Sequence, residues 1–181
     1  MKKIAFAAII GTMLFSCSKT EVQSLVKEND VLPIDAGRID EGCVPTTKTV
    51  ALLAGQTMNA GEVTVTNDGV DLTVTYNCLN GWKISEIHLY VGEFASAPQN
   101  NGGNPIPGRF PIKETFSTGV TTYSKVIPLA SLPDCFIVAA HAVVKSGTGT
   151  TGGTQTGWGQ GTQFPGNNWG MYFDYCVTTC P

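Results

Sequence analysis

The sequence predicts an all-β domain, an antiparallel β-sandwich of about seven or eight strands, and three observations support this. Short runs of alternating apolar and polar residues recur along the chain after Cys43. Turn-forming pairs, Asp68-Gly69 and Asn80-Gly81, separate several of these runs. No segment of the domain combines a helical period with helix caps. Short strands joined by frequent turns are typical of sandwiches.

An Asp-Gly pair organises the first strands of the domain. Residues 62–66 and 72–76 alternate apolar and polar side chains, and Asn67-Asp68-Gly69 lies between them. Such an arrangement is a strong signal for a hairpin. A short apolar run at residues 49–53 predicts the strand before it.

The next predicted strand, residues 82–91, begins after the Asn80-Gly81 turn. Strict alternation places Ile87, Leu89 and Val91 on one face of this strand. The other face is predicted to hold Trp82, Ile84, Glu86, His88 and Tyr90.

Two strands and two loops are predicted in the middle of the domain. Residues 100–111 are rich in Asn, Gly and Pro, which favours a loop. A strand at 121–129 follows, and then a nearly wholly apolar strand at 135–144, which predicts a central buried position. Residues 145–168 are rich in Gly and Thr and are interpreted as a long loop. The last strand, 169–177, presents Trp169, Met171, Phe173 and Tyr175 on one face.

The N-terminus carries the features of an exported lipoprotein. Met1-Lys2-Lys3 is positive, and residues 4–15 form an apolar run too short to span a bilayer. Leu14-Phe15-Ser16-Cys17 then resembles a lipobox, which places signal cleavage before Cys17 and lipid, including palmitate, on that cysteine. Ser18 is not aspartate, so we expect the outer membrane rather than inner-membrane retention, and surface exposure stays open.

These features divide the chain into three parts. Residues 1–16 are predicted to be the signal peptide, 17–42 the lipidated cysteine with a flexible tether, and 43–181 a single domain. The chain has a net charge of −3 and no basic cluster, so nucleic acid is not an expected partner.

The cysteines predict disulfides, because the cell envelope is oxidising. If the strands at 135–144 and 169–177 pair antiparallel, Cys135 lies near Cys176. Cys43 and Cys180 stand near the two ends of the domain, which often lie close together, and form the second predicted bridge. Cys78 is then free. Zinc is not expected at Cys176 and Cys180, since no second Cys or His pair accompanies them.

Several motifs resemble those of a family of secreted or lipid-anchored bacterial β-sandwich domains. They are Gly81-Trp-Lys-Ile-Ser-Glu-Ile-His-Leu-Tyr-Val-Gly92, Ala139-Ala-His-Ala-Val143 and Trp158-Gly-Gln-Gly-Thr-Gln-Phe-Pro-Gly-Asn-Asn-Trp-Gly-Met-Tyr-Phe173. The resemblance covers about residues 49–175 and implies the β fold, but no activity. Relatives often carry Glu-Thr-Ala-Trp-Gly where this chain has Gln155-Thr-Gly-Trp-Gly159, which weakens any role for a carboxylate there.

Catalytic motifs are missing from the sequence. There is no Gly-x-Ser-x-Gly elbow, no His-Glu-x-x-His and no Walker loop. Glu86 and His88 share a strand face, and His141 lies on a strand that could run nearby, so an acid/base or metal site is one interpretation. The favoured interpretation is a pair of hydrogen-bonded core histidines. We therefore assign no catalytic residue, no metal and no cofactor.

Two loop features predict a binding surface. Trp158 stands between glycines near the amides Gln155, Asn167 and Asn168, and an aromatic ring beside amides suits neutral glycans. Arg109 is a lone cation in a Pro/Gly loop and suits a carboxylate or sugar acid. The structural alternatives are that Trp158 closes one end of the sandwich and that Arg109 packs in its loop.

The sequence therefore predicts a bacterial envelope lipoprotein with a non-catalytic domain for binding or surface presentation. Its expected partner is a glycan or another envelope protein. Two alternatives stay open: a hydrolase or metal-dependent enzyme using Glu86, His88 and His141, and a structural component of a surface assembly.

Overall fold

The structure, a computed structural model, describes residues 46–147 and 153–177, and this part of the chain is all-β as predicted. Within these residues ten strands are joined by turns and three short 3-10 turns, at Phe94–Ser96, Pro107–Arg109 and Leu129–Ser131. The strands are β1 (Lys48–Ala54), β2 (Met58–Asn67), β3 (Asp71–Cys78), β4 (Trp82–Gly92), β5 (Ile112–Val120), β6 (Thr122–Pro128), β7 (Cys135–Ser146), β8 (Thr154–Gly159), β9 (Thr162–Gln163) and β10 (Met171–Cys176).

One antiparallel sheet bends round on itself until it is nearly closed. Its strand order is β5-β4-β7-β8-β1-β2-β3-β6, and β10 also pairs with β7. The β2–β3 hairpin turns at Asp68, whose carboxylate accepts backbone bonds from Val70 and Asp71 at 2.9 and 2.7 Å. At the two edges of the sheet, the rings of Phe116 on β5 and Tyr123 on β6 lie 5.6 Å apart.

Strand β7 is the centre of the sheet, which confirms the prediction from its apolar composition. It pairs with β4 along one side, and along the other with β8 at His141–Lys145 and with β10 at Cys135–Val138. Side chains on both faces are buried. Val138 and Ala140 point into the main core, whereas Ile137 and Ala139 belong to a second apolar cluster on the outer face.

A bulge in β4 overturns part of the predicted alternation. The register of β4 shifts between Ile84 and Glu86 against both β5 and β7, which leaves Ser85 as the extra residue. Trp82 and Ile84 therefore lie in the main core together with Ile87 and Leu89, and not on the face of His88. The prediction that Trp82 and Ile84 share a face with Glu86 is wrong.

The predicted loop at residues 145–168 contains two strands that the sequence did not predict, β8 and the two-residue β9. Strand β8 lies there between β7 and β1, and its inner face carries Gly157 and Gly159. A Cβ atom on Gly159 would lie 3.1 Å from the ring of Phe173 and 3.3 Å from the Ala140 Cβ. A side chain here would crowd these neighbours, so glycine suits the close packing, although its presence in the sequence favours a loop. Strand β5 was also missed.

The predicted strand pairing at the C-terminal end is confirmed. Cys176 pairs with Cys135 in the β10–β7 ladder, and the two form a disulfide. Cys78 is free and buried. Cys43, Cys180, the signal peptide, Cys17 and the tether lie outside the described residues. No helix in the described ranges is long and apolar enough to cross a membrane.

Candidate functional site

The residues predicted to form one binding surface are not brought together. Trp158 points to the outer face of β8 and is 3% exposed. Gln155 lies on the opposite face, where its Oε1 would be 3.0 Å from a Cβ on Gly55. Asn167 and Asn168 are exposed in the loop before β10, and Arg109 is exposed in the 3-10 turn Pro107–Arg109.

Trp158 packs against other side chains on both sides of the outer face. It pairs directly with His141 across β8 and β7, and their rings meet edge to face with centroids 4.9 Å apart. The ring of Phe110, which follows the Arg109 turn, lies at 6.3 Å, also edge to face. The indole of Trp158 is therefore buried beneath the loops and is not free to stack on a sugar.

His141 continues the same row of side chains through a hydrogen bond to His88, which in turn contacts Glu86. Its Nδ1 atom lies 3.1 Å from Nδ1 of His88, the residue opposite it on β4. The Nε2 atom of His88 is 3.3 Å from a carboxylate oxygen of Glu86. If His88 donates from Nε2 to Glu86, its Nδ1 must accept from Nδ1–H of His141, since a neutral imidazole has one donor. A donor role of His88 Nε2 toward Glu86 would therefore set the tautomers of both rings.

Burial keeps both histidines neutral at neutral pH. Desolvation, with the neighbouring His88 as a second cause, lowers the pKa of His141 to about 3. Desolvation also lowers the pKa of His88, and Lys113 opposes its protonation further, while Glu86 acts in the other direction. Among the described residues, no group of three or more His, Cys, Asp or Glu side chains is arranged to hold a metal ion. The burial of His141 and its hydrogen bond to His88 agree with the interpretation of His141 as a core histidine.

A shallow depression of about 460 Å³ lies in the loop that follows β4. Its walls are Gln99, Asn100, Asn101, Gly102, Ile106 and Arg109. The side-chain amides of Gln99 and Asn101 supply donors and acceptors, and that of Asn100 supplies donors. The guanidinium adds a planar cation with five N–H donors. The sequence indicates Arg109 but not these amides, because their place beside Arg109 depends on the folded path of residues 98–106.

Asparagine side chains hold this loop in one shape. The Asn100 Oδ1 atom accepts hydrogen bonds from the backbone N–H groups of Gly102 at 2.9 Å and Asn104 at 3.0 Å. The Asn104 Oδ1 atom accepts from the N–H of Asn168 at 2.8 Å. A Cβ on Gly166 would lie 2.2 Å from Asn104 Oδ1, so glycine is needed where the two loops meet. Asn104 therefore clamps the depression to the loop before β10.

Aromatic side chains pack beneath the loop depression and support it. Phe110 is fully buried and lies 5.9 Å from the ring of Tyr90 on β4. Phe94 stacks on Phe164 with ring centroids 5.8 Å apart, and Phe164 also meets Trp158 at 6.5 Å. A surface that is ordered before binding loses less entropy when a ligand arrives.

No protein-family model matches the chain, and neither a curated protein nor a solved structure shows a significant match. The family resemblance of the motifs therefore stays a prediction. The candidate site is a polar loop depression with one cation, held by the Asn104 clamp, on the outer face of a nearly closed antiparallel sheet.

Proposed function

We propose that this protein is a lipid-anchored component of the bacterial cell envelope whose β-domain binds a glycan, without catalysis, in the loop depression at Arg109. The observation that carries the proposal is the convergence of three amides and one guanidinium in a clamped loop. Lipid on Cys17 would hold the domain at the outer membrane, where glycans are abundant, through the tether of residues 17–42.

The lining favours an acidic sugar over a neutral one. Amide groups such as those of Gln99 and Asn101 exchange hydrogen bonds with sugar hydroxyls, and Ile106 offers an apolar contact for a C–H face. The planar fork of Arg109 matches a carboxylate with two parallel hydrogen bonds. Because Arg109 is exposed, its ion pair would contribute little alone, and the affinity would come from several modest contacts.

A glycan array with matched variants tests this proposal. We expect the wild type to bind uronic or other acidic glycans, Arg109→Ala to lose that binding, and Arg109→Lys to keep part of it. Lys125→Ala removes the same charge on β6 and should bind like the wild type. If Arg109→Ala binds glycans as the wild type does, the glycan site is not at Arg109. Glycan binding by none of the proteins, with stable co-purification of an envelope protein, would favour a protein partner or a structural role instead.

The contact between Glu86 and His88 favours acid/base catalysis as a second candidate function. A carboxylate that orients an imidazole is a common device in hydrolases. Hydrolysis of an envelope substrate that is abolished in His88→Gln, with folding intact, would support this alternative. The burial of His141 beneath Trp158 supports the non-catalytic proposal.

A further inference from the structure

A second depression lies where β4 and β5 both leave regular pairing. Glu86 pairs with Thr115, and Ile84 pairs with Val120, so only Ser85 on β4 stands opposite residues 116–119 of β5. Residues 116–119 are therefore extra residues of β5 in this pairing, and Gly119 adopts a φ of +69° that favours glycine. Bulges of this kind often occur beside functional sites.

The depression has a volume of about 220 Å³ and a cationic lining. Lys83 and Lys145 stand on its walls with the hydroxyl residues Ser117 and Thr118, and no carboxylate residue is among the lining residues. The space exceeds by far the roughly 10–15 Å³ that one water needs. In a chain with a net charge of −3, a cavity lined by two lysines and no acid is a distinct electrostatic feature.

The two lysines face each other directly. Lys83 on β4 and Lys145 on β7 are partners in the ladder, so their side chains leave the sheet on the same face. Neither has a salt-bridge partner in the described part of the chain. Like charges directly opposite each other destabilise a strand pair, so this arrangement costs free energy unless an anion lies between them.

We propose that this depression binds a tetrahedral oxyanion, a phosphate or sulfate group. Lysine ammonium groups act as point charges for such anions and lack the planar fork that selects carboxylates. Ser117 and Thr118 supply hydroxyl donors from the part of β5 where the register is interrupted. Ser85 stabilises the fold instead, because its Oγ donates to the carbonyl of Val143 at 3.1 Å and so holds the bulge in place.

This oxyanion pocket is independent of the depression at Arg109. Lys83 lies near the start of β4, whereas Phe110, which follows Arg109, packs on Tyr90 near its other end, so roughly 20 Å of strand separates the two depressions. Loss of glycan binding in Arg109→Ala would leave the oxyanion pocket intact, and the two proposals can fail separately.

The proposal is tested by titration with inorganic phosphate and sulfate against chloride at matched ionic strength. We expect phosphate or sulfate to raise the Tm of the wild type and to shift the amide resonances of Gly119 and Gly147, which line the pocket, more than chloride does. The double variant Lys83→Gln/Lys145→Gln should bind about tenfold more weakly or worse. Lys125→Gln, a lysine on β6, is the matched control and should bind like the wild type.

A second measurement distinguishes loss of phosphate binding from loss of folding. Lys145→Gln removes the repulsion within the lysine pair, so without phosphate its Tm should equal or exceed that of the wild type while phosphate stabilisation is lost. Titration with glucose 6-phosphate beside inorganic phosphate shows whether the preferred oxyanion is free or carried by a sugar. Equal effects of phosphate, sulfate and chloride on the wild type, or equal losses in the double variant and Lys125→Gln, would overturn the proposal.

Discussion

The Nδ1 atoms of His88 and His141 lie 3.1 Å apart across strands β4 and β7. The two residues are direct partners in the ladder, and the row continues to Lys113 on β5 and to Trp158 on β8. This pair therefore connects Glu86, at the half-exposed edge of the outer face, to the buried side chains beneath the loop depression. Protonation of either imidazole adds an N–H donor and so changes the hydrogen bond between the two histidines.

Burial of His141 predicts that the protein loses stability in mild acid. The folded-state pKa of about 3 lies below the ordinary value of 6.5, so the unfolded chain binds the proton more readily than the folded one. The contribution to stability is complete above pH 6.5 and is lost as the pH falls from 6.5 toward 3. Between pH 7 and pH 4.5 the loss from this one group is about 2–3 kcal/mol.

Denaturant unfolding of the wild type and of His141→Asn at both pH values measures this effect. The asparagine keeps a polar group near His88 but does not titrate, so the variant should be less stable at pH 7 and have a flatter pH dependence. Carboxylates that begin to protonate near pH 4.5 act equally in both proteins, so the difference between the two pH dependences isolates the histidine. A wild type that is equally stable at pH 7 and pH 4.5 would contradict the assigned protonation state.

The bridge between Cys135 and Cys176 predicts a large loss of stability in the double variant Cys135→Ser/Cys176→Ser. The bond closes a loop over a sequence separation of 41, and on the chain-entropy model this stabilises the fold by roughly 4 kcal/mol. Thermal unfolding of the variant and of the wild type under oxidising conditions gives the difference. A variant that unfolds at the same temperature as the oxidised wild type would contradict a stabilising role of this bridge.

Peptide mapping under non-reducing conditions checks the same cysteines chemically. Burial raises the pKa of the Cys78 thiol to about 11, so Cys78 should react with an alkylating reagent only after unfolding. A peptide that joins Cys78 to another cysteine would refute this assignment. The map also tests the predicted Cys43–Cys180 bridge, which lies outside the described residues.

The clamp at Asn104 predicts a local effect on the loops and a small global one. Asn104→Ala removes the acceptor for the N–H of Asn168, which should cost about 1 kcal/mol and speed hydrogen exchange at Asn168. Asn59→Ala is the control, because Asn59 also accepts a backbone bond, from Gly61 at 2.9 Å, but on β2. If hydrogen exchange at Asn168 is equally slow in the wild type, Asn104→Ala and Asn59→Ala, the Asn104 side chain does not order the loops.

The lipobox predicts that Cys17→Ser abolishes lipid attachment. The thiol of Cys17 is the acceptor of the diacylglyceryl group, and serine does not replace it. Cells grown with a palmitate analogue should label the wild type, whereas the variant accumulates unlabelled as precursor or in a different fraction. A variant that still labels and fractionates like the wild type would contradict the lipid anchor.

The sequence predicted the fold class and the central strand because their signals are local. Alternation in residues 62–66 and 72–76, with Asp68-Gly69 between them, led directly to the hairpin, and the apolar run of β7 to the sheet centre. Strand β8 was missed since its inward Gly157 and Gly159 serve close packing against other strands. That requirement exists only in the folded sheet, and glycine alone favours a loop.

The candidate site was harder to predict, because it depends on contacts between distant segments. The bulge at Ser85 inverts the alternation of β4, and no local pattern reveals it. Trp158 has loop-like neighbours in sequence, yet Phe110 and His141 cover it in the fold. Of the predicted binding residues, Arg109 alone lines the loop depression, where its partners Gln99 and Asn101 come from the same loop.

Titration of the isotope-labelled protein with glucuronate, followed by two-dimensional NMR, tests the binding site most directly. Glucose at the same concentration is the uncharged control. We predict that the largest amide shifts, saturating with glucuronate, occur at residues 99–102 and at Arg109, and that Arg109→Ala removes them. Saturating shifts confined to other parts of the sheet, or equal responses to glucuronate and glucose, would contradict the proposed recognition of an acidic sugar at Arg109.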